Sequence, residues 1–344
     1  MKTNAALITH AQEFVTSGGS PARYLAVNGL NAIGGLRTNE VLRKEEWQML
    51  DETLVGVARQ RLIGIGDLIS RGLSFNLGGL GILLSQYEQL GDMSAADVDY
   101  AGVTDGEKDS VTFTLVSVPV PIIHKDFSIN IRRLEASRGP NAVGAPIDRT
   151  QIEVAAQKVT EQMEEILFNG MEGTGAQGGG IQSGAGVTTQ NRLYGYTNEP
   201  DRNTQAGGDW GTATNPQTDI INGIGVLEGD SYFGADYVVY APTTQFNQLR
   251  NFFTDGSGDQ IFDRVRRIQG IQDVRPGDRL TAGTGVIVTM RRDVVDLAIG
   301  QELTVIEWET KGGLMMNFKV LTAIAPRIKS DAANGSGICT LTGI

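Results

Sequence analysis

Cysteine and histidine are nearly missing from this 344-residue chain, which has one Cys, at 339, and two His, at 10 and 124. A single cysteine cannot form an intrachain disulfide, so a disulfide scaffold is excluded and the chain suits a reducing compartment. One cysteine and two histidines also cannot build a Cys/His zinc site within one chain. Aromatics are scarce, at 6%. No window approaches the roughly 18 consecutive apolar residues that mark a membrane-crossing helix. The start, M-K-T-N-A-A-L-I-T-H-A-Q-E-F, has no apolar run of the signal-peptide kind. The chain begins at Met1, so no proteolytic loss of a leading segment is expected. Positive charge is short as well: 29 Lys and Arg stand against 40 Asp and Glu, a net −11. That argues against a protein whose main work is gripping phosphate backbones, which needs clustered cations, but not against one that merely faces nucleic acid.

Glycine is plentiful. There are 45, well above the usual ~7% of residues, which predicts many turns and long loops. The clearest pattern lies between Pro146 and Gly170. Ile152, Ala155, Ala156, Val159, Met163, Ile166 and Leu167 follow i, i+3, i+4, i+7 spacing and form one apolar stripe. Asp148 suits the first turn and Gly170 the C-terminal cap, so a helix is expected over 147–169. At about 1.5 Å per residue it would be roughly 30 Å long. The stripe is read as packing and not as a site.

The rest of the chain reads as an α+β protein without a regular βαβ rhythm. Residues 1–37 form an arm broken by Gly18-Gly19-Ser20-Pro21 and Gly34-Gly35. A helix capped by Thr38 or Asn39 follows, with Trp47, Leu50, Leu54, Val57, Ala58 and Leu62 on its stripe, ending near Leu62 or Ser70. Residues 82–118 read as a long projecting hairpin with a polar, acidic tip; Pro119 and Pro121 end its ladder. Such a hairpin cannot bury both faces in its own domain and needs a partner surface. Residues 132–138 make a short helix. Residues 171–211 are a Gly-rich loop, long enough to be functional or pinned by a partner. Helices are expected over 216–227 and 244–253, and a helix or strand over 261–271. Strands are expected over 236–240, 285–289, 294–299, 304–309, 314–324 and 337–342.

The candidates for chemistry are weak. His124, beside Lys125 and Asp126, has no G-x-S-x-G elbow to serve and reads as a strand histidine. The Gly-rich stretch 173–186 has no Gly-Lys pair and follows a helix, the wrong order for a phosphate loop. Asp255, Ser257 and Asp259 open like a calcium loop, but Gln260 and Arg266 stand where Gly and Glu are required. Asp92, Asp97 and Asp99 read as a solvated face. Glu164 and Glu165 are adjacent on a helix and point about 100° apart, so they are no acid–base pair. Arg264, Arg266 and Arg267, in an acidic chain, match an acidic neighbour. Cys339 reads as a small buried hydrophobe. No catalytic, cofactor-binding or metal residues are assigned, and no cofactor is expected. An arm, a hairpin and a loop without cover in their own chain point instead to a closed symmetric assembly.

Three stretches carry a resemblance: F-S-I-N-I-R-R-L-E-A-S-R-G-P (127–140) leading to I-L-F-N-G (166–170), A-D-Y-V-V-Y-A-P-T-T-Q-F-N-Q-L (235–249), and V-D-L-A-I-G-Q-E-L-T-V-I-E-W (295–308) with F-K-V-L-T-A-I-A-P-R-I (318–328). Their order over 38–344 resembles the HK97-like fold of tailed-phage major capsid proteins, shared with encapsulins. The resemblance implies an N-terminal arm (1–37), a peripheral-domain helix and lead-in (38–81) and an extended E-loop (82–118). It further implies a peripheral domain with a spine helix (119–184, helix 147–169), an axial domain (185–300) and terminal peripheral strands (301–344). It implies a non-catalytic shell protein that assembles with itself into pentamers and hexamers around double-stranded DNA, without sequence-specific binding and without a membrane. The virion is the expected location, with assembly in the host cytoplasm, and the implied partners are a portal, a decoration protein and a separate scaffolding protein. About 40 residues before the first helix are too few for a built-in scaffolding domain. Lys108 is the only lysine of the hairpin region, near its base or second strand, and no covalent cross-link is expected. An encapsulin shell is the alternative, favoured less by the arm and loops, and a soluble enzyme is the remote one.

Overall fold

The computed structural model describes residues 62–91, 93–100, 105, 108–138, 147–171, 193–234, 236–253, 258–331 and 335–344. The expected arm, the helix starting at residue 38, the Asp255–Ser257 turn and residues 172–192 of the Gly-rich loop lie outside them. The described residues form six helices: α1 Gly64–Ser70, α2 Ile131–Arg138, α3 Ile147–Asn169, α4 Asn215–Gly229, α5 Thr243–Gln248 and α6 Ile261–Arg266. The strands are β1 Ser74–Asn76, β2 Leu84–Leu90, β3 Phe113–Pro119, β4 Ile122–Asn130, β5 Asn203–Ala206, β6 Tyr237–Ala241, β7 Ile271–Pro276, β8 Thr284–Thr289, β9 Val295–Thr310, β10 Met315–Ile328, β11 Ser330–Asp331, β12 Gly335–Ser336 and β13 Ile338–Thr342. One sheet has the order β1-β9-β10-β4 and another β5-β13-β8-β6-β7; β2-β3 and β11-β12 are two-stranded. The chain divides into two units, and α3, β9 and β10 each contribute to both.

The described part of the first unit comprises 124–138, 147–159 and 303–321. Period-2 alternation sorts its strands into two faces. Val305, Met316, Phe318, Val320 and Ile129 are buried, and Phe127 stacks on Phe318 with ring centroids 5.1 Å apart. The turn between β9 and β10 runs through Lys311, Gly312 and Gly313, all with positive φ (54°, 67° and 82°). Glycine takes that backbone without strain, which is why the sequence turns here. The Asn317 amide crosses the turn to donate to the Trp308 carbonyl (3.3 Å) and the Thr310 hydroxyl (2.9 Å).

The second unit comprises 62–123, 160–302 and 322–344. Its five-stranded sheet is mixed: β13 runs parallel to β5 and antiparallel to β8, and β6 runs antiparallel to β8 and parallel to β7. Both faces are covered, so β6 and most of β8 and β13 are buried throughout and read as continuous apolar runs. Ile220, Ile224 and Leu227 of α4 join Trp210, Val239, Ile287, Cys339 and Leu341 in one core. Gly223 allows the approach, since a Cβ there would stand 2.7 Å from Ile287 Cδ1. The Trp210 indole reaches this core because Nε1 donates to Asp219 Oδ2 at 3.0 Å.

Five strands were not expected from the sequence, the two-residue β11 and β12 among them. β5 lies inside the stretch taken as loop, where N-T-Q-A has no apolar alternation. β7 continues past the predicted 261–271 element and ends on Pro276, tolerated because β7 is an edge strand. β1 is three residues long. The strands expected over 294–299 and 304–309 are one strand, β9, because Gly300 keeps extended backbone beside Ala323. The expected helix over 244–253 stops at Gln248.

Candidate assembly surface

The β2–β3 ladder pairs Leu84 with Pro119 and proceeds in register to Leu90 with Phe113. Gly91 extends it by donating its N–H to the Thr112 carbonyl at 2.8 Å. Beyond it, Asp109 closes the tip, accepting from the backbone N–H groups of Ser94 (2.8 Å) and Ser110 (2.7 Å). Those hydrogen bonds favour its charged form and hold its carboxyl below the usual carboxylate value. One face of the ladder carries Leu84, Phe113 and Leu115, which are 52%, 65% and 59% exposed. Residues 93–100 at the tip lie outside any strand and are exposed throughout, Val98 and Tyr100 included.

The other face of the hairpin is fastened. Ser85 is buried, the Tyr87 hydroxyl donates to the Ile328 carbonyl (2.9 Å), and the Gln89 amide donates to the Ser330 hydroxyl (3.1 Å). At the root, Arg327 makes a two-pronged pair with Asp296, Nε to Oδ1 and Nη2 to Oδ2, both 2.6 Å. Its remaining nitrogen, Nη1, donates to the Ser85 hydroxyl (3.3 Å) and the Gln86 carbonyl (3.1 Å). The guanidinium lies 4.1 Å from the centre of the Phe75 ring. Asp296 is fully enclosed and also takes Lys329 Nζ at 2.7 Å. Both charges are thus satisfied, the condition under which a buried ion pair is tolerated. Burial pushes the Tyr87 hydroxyl up to about 12, so it stays a donor at any ordinary pH.

A second buried device anchors α1. Glu164, on α3, accepts the backbone N–H groups of Gly64 (3.2 Å) and Ile65 (3.1 Å) and so satisfies donors that the first turn leaves orphaned. Gly64 allows the close approach, since a Cβ would lie 2.7 Å from Leu167 Cδ2. Burial outweighs these hydrogen bonds and raises the Glu164 carboxyl to about 7. Asp67, also raised by burial, accepts from the buried Tyr240 hydroxyl at 2.8 Å and lies 3.4 Å from Arg275. Burial, then the neighbouring Asp201 charge, lifts Glu199 to about 7.

A third feature is a cluster on α5, α6 and the residues between them, in which half-buried phenylalanines pack against the core below and carry arginines above. Arg250 lies over Phe246 (5.2 Å), Arg264 over Phe253 (3.8 Å) and Arg266 over Phe262 (5.7 Å), while Phe246 and Phe262 meet edge to face at 5.7 Å. Asp259 lies 3.6 Å from Arg264 and 3.5 Å from Arg267.

The structure places all seven stripe residues of α3, Ile152, Ala155, Ala156, Val159, Met163, Ile166 and Leu167, in the interior. Gly170 follows with φ +67°, its N–H closing on the Ile166 carbonyl at 2.9 Å. His124 is exposed on β4 with Nδ1 3.1 Å from Asp126. Cys339 is buried, and burial pushes its thiol up to about 12. Asp97 and Asp99 are exposed. Among the described residues, no group of three His, Cys, Asp or Glu could hold a metal ion, and no helix is long and apolar enough to cross a membrane. Sequence reasoning missed the Arg327–Asp296 pair and the capping role of Glu164. A signal for the first existed: each is a lone charge inside an apolar strand, V-V-D-L-A and A-I-A-P-R-I.

A mixed sheet with a long helix, a fastened hairpin and a second mixed unit make up the HK97-like fold, and solved structures agree. The virus-like particle of Pyrococcus furiosus superposes with a TM-score of 0.59 at 16% identity, covering 86% of this chain and 99% of that one. The capsid of Myoviridae phage XM1 gives 0.57 at 16% identity, over 79% and 89%. A native GTA particle capsid gives 0.54 at 12% identity, over 93% and 98%. The chain belongs to the family of unknown function DUF6260, whose model matches residues 36–340. In sequence it is 29% identical over 306 residues to the type 1 encapsulin shell protein EncA of Myxococcus xanthus, covering 88% of this chain and 94% of that protein.

Proposed function

We propose that this chain is the major subunit of a closed protein shell, a structural and non-catalytic protein that assembles with itself into pentamers and hexamers. The observation that carries this reading is the β2–β3 hairpin. It is held by buried polar bonds at its root, yet presents Leu84, Phe113 and Leu115 to solvent along one face. A rigid strand pair with an uncovered apolar face is a surface made for a neighbour. On this reading 1–37 is the arm, α3 the spine of the peripheral domain and 185–300 the axial domain.

The shell is that of a tailed phage and encloses double-stranded DNA, with a scaffolding protein, a portal and a decoration protein as partners and the virion as its location. The likeness to phage capsids supports this, as does the net charge of −11, which keeps a wall from trapping packed phosphate backbones. A second reading, a cellular encapsulin compartment with a protein cargo, is favoured by the 29% identity to EncA.

Electron microscopy of the purified recombinant protein tests the shell reading. Closed shells or capsomers are expected, and small discrete oligomers under all assembly conditions would overturn it. The contents of native shells separate the two finer readings: nuclease-protected double-stranded DNA supports the phage head, and a packaged protein without DNA supports the encapsulin.

A further inference from the structure

We propose that the joint between α1 and α3 is a proton-operated latch, closed while one proton sits on the buried carboxylate pair Glu164 and Asp67 and loosened once both are charged. The proposal does not rest on the shell reading and applies to the subunit alone. The two acids stand on opposite sides of one joint. Glu164 belongs to α3 and accepts the N–H groups of Gly64 and Ile65, whereas Asp67 lies in the first turn of α1 itself. Both are 4% exposed. Apolar packing closes the same joint, with Ile65 and Leu68 on α1 and Leu167 and Phe168 on α3 all buried.

The groups that face the pair are few. α1 adds Arg71, β6 adds Tyr240, β7 adds Asp273 and Arg275, and the segment after Leu193 adds Tyr196. The Tyr240 hydroxyl donates to Asp67 at 2.8 Å, and Arg275 lies 3.4 Å from it. Arg275 is 41% exposed and also holds Asp273 at 2.9 Å, so water and a second acid weaken its hold on Asp67. The Tyr196 ring lies against Tyr240 (6.2 Å) and Phe168 (5.7 Å), and its buried hydroxyl lends neither carboxylate a hydrogen bond. Such an enclosure holds one negative charge among its donors, and a second repels the first at low local dielectric. Burial and the Asp67 charge together outweigh the backbone hydrogen bonds, and Glu164 keeps its proton up to about pH 7. Because the two carboxylates belong to different helices, their repulsion acts across the joint. Moving α1 off α3 relieves it and lets water reach both.

Hydrogen exchange of the unassembled subunit tests the latch, read by mass spectrometry on peptides covering 62–71 and corrected for the intrinsic pH dependence of amide exchange. Protection there should fall about thirtyfold between pH 5.5 and 8.5, the loss expected for an acid that titrates at about 7 in the closed joint and at its ordinary 4.5 in the open one. It should stay below the protection of β6 throughout, the mark of a local opening. Glu164→Gln should remove the pH dependence. Asp67→Asn takes away the repelling charge, so its midpoint should move below pH 7 and its fall should be smaller. Glu199→Gln changes an acid that titrates in the same range elsewhere, and should leave the profile of 62–71 as in the parent. A flat parental profile, a profile unchanged by Glu164→Gln, a midpoint unmoved by Asp67→Asn, or equal protection in 62–71 and β6 would overturn the latch. Should Glu164→Gln not fold, the midpoint of Asp67→Asn decides alone.

Discussion

Replacing Arg327 with Met removes one side of a buried ion pair and keeps most of its volume. Asp296 is fully enclosed and would lose two 2.6 Å bonds, and Ser85 and the Gln86 carbonyl would each lose a donor. Stranding one charge of such a pair costs about 3–5 kcal/mol. Lys329, 2.7 Å from Asp296, stays in place and brings the expectation to the lower end, about 3 kcal/mol. The measurement is urea unfolding of the subunit below its assembly concentration, where the midpoint should fall without a change in slope. Adding Asp296→Leu removes the stranded charge and should recover more than half of the loss. Limited proteolysis adds a local reading: cleavage in the hairpin should quicken in Arg327→Met before global unfolding sets in. A single variant costing less than about 1 kcal/mol, or a double variant as costly as the single, would refute the view that a satisfied charge pair bolts the hairpin to its unit.

Two further outcomes are expected. Glu164 and Glu199 both titrate at about 7 in the folded protein against an ordinary value of 4.5. A raised acid binds more protons folded than unfolded, so the share of stability these two groups contribute is fully present below pH 4.5 and is lost as pH rises through about 7, by about 3 kcal/mol for each group. Unfolding measured between pH 5 and 8 should show that decline, and Glu164→Gln should flatten its own share; an unchanged pH slope in that variant would place the titration elsewhere. Val159→Asp puts a charge into a site that is 1% exposed and should cost more than about 4 kcal/mol, abolishing shells through unfolding of the subunit. Normal shells from that variant would show that this face of α3 is not interior.

What could be read in the sequence and what could not divides along range of interaction. The bounds of α3 were legible because local rules agree there: a 3.6-residue apolar period, an acidic first turn and a glycine whose positive φ ends the helix. The hairpin was legible for the same reason, since period-2 alternation broken by Pro119 needs nothing distant to interpret it. The strands β5 and β7 were not. N-T-Q-A owes its extended form to β13, more than 130 residues later, and sequence propensity carries no trace of that partner. Glu164 was set aside because its adjacent glutamate pointed elsewhere. Its partners, Gly64 and Ile65, are about a hundred residues away and offer only backbone N–H groups.

On the proposed shell reading, the same division bears on how a subunit would meet its neighbours. The residues that hold the hairpin, Ser85, Tyr87, Asp296 and Arg327, are polar and internal, whereas those it offers outward, Leu84, Phe113, Leu115 and Tyr100, are apolar and uncovered. A folding core places these classes the other way round. Buried bidentate bonds have strict geometry, so they fix the direction in which the hairpin leaves its unit, while apolar contact is tolerant of small shifts. A shell whose subunits occupy slightly different environments needs both properties at once: a lever with a fixed root and a forgiving face. Charges placed at Leu84 and Leu115 alone should leave a subunit that folds at parental stability but does not assemble, and apolar groups at 296 and 327 alone should keep that outward face unchanged; comparing the two variants separates the root's role from the face's.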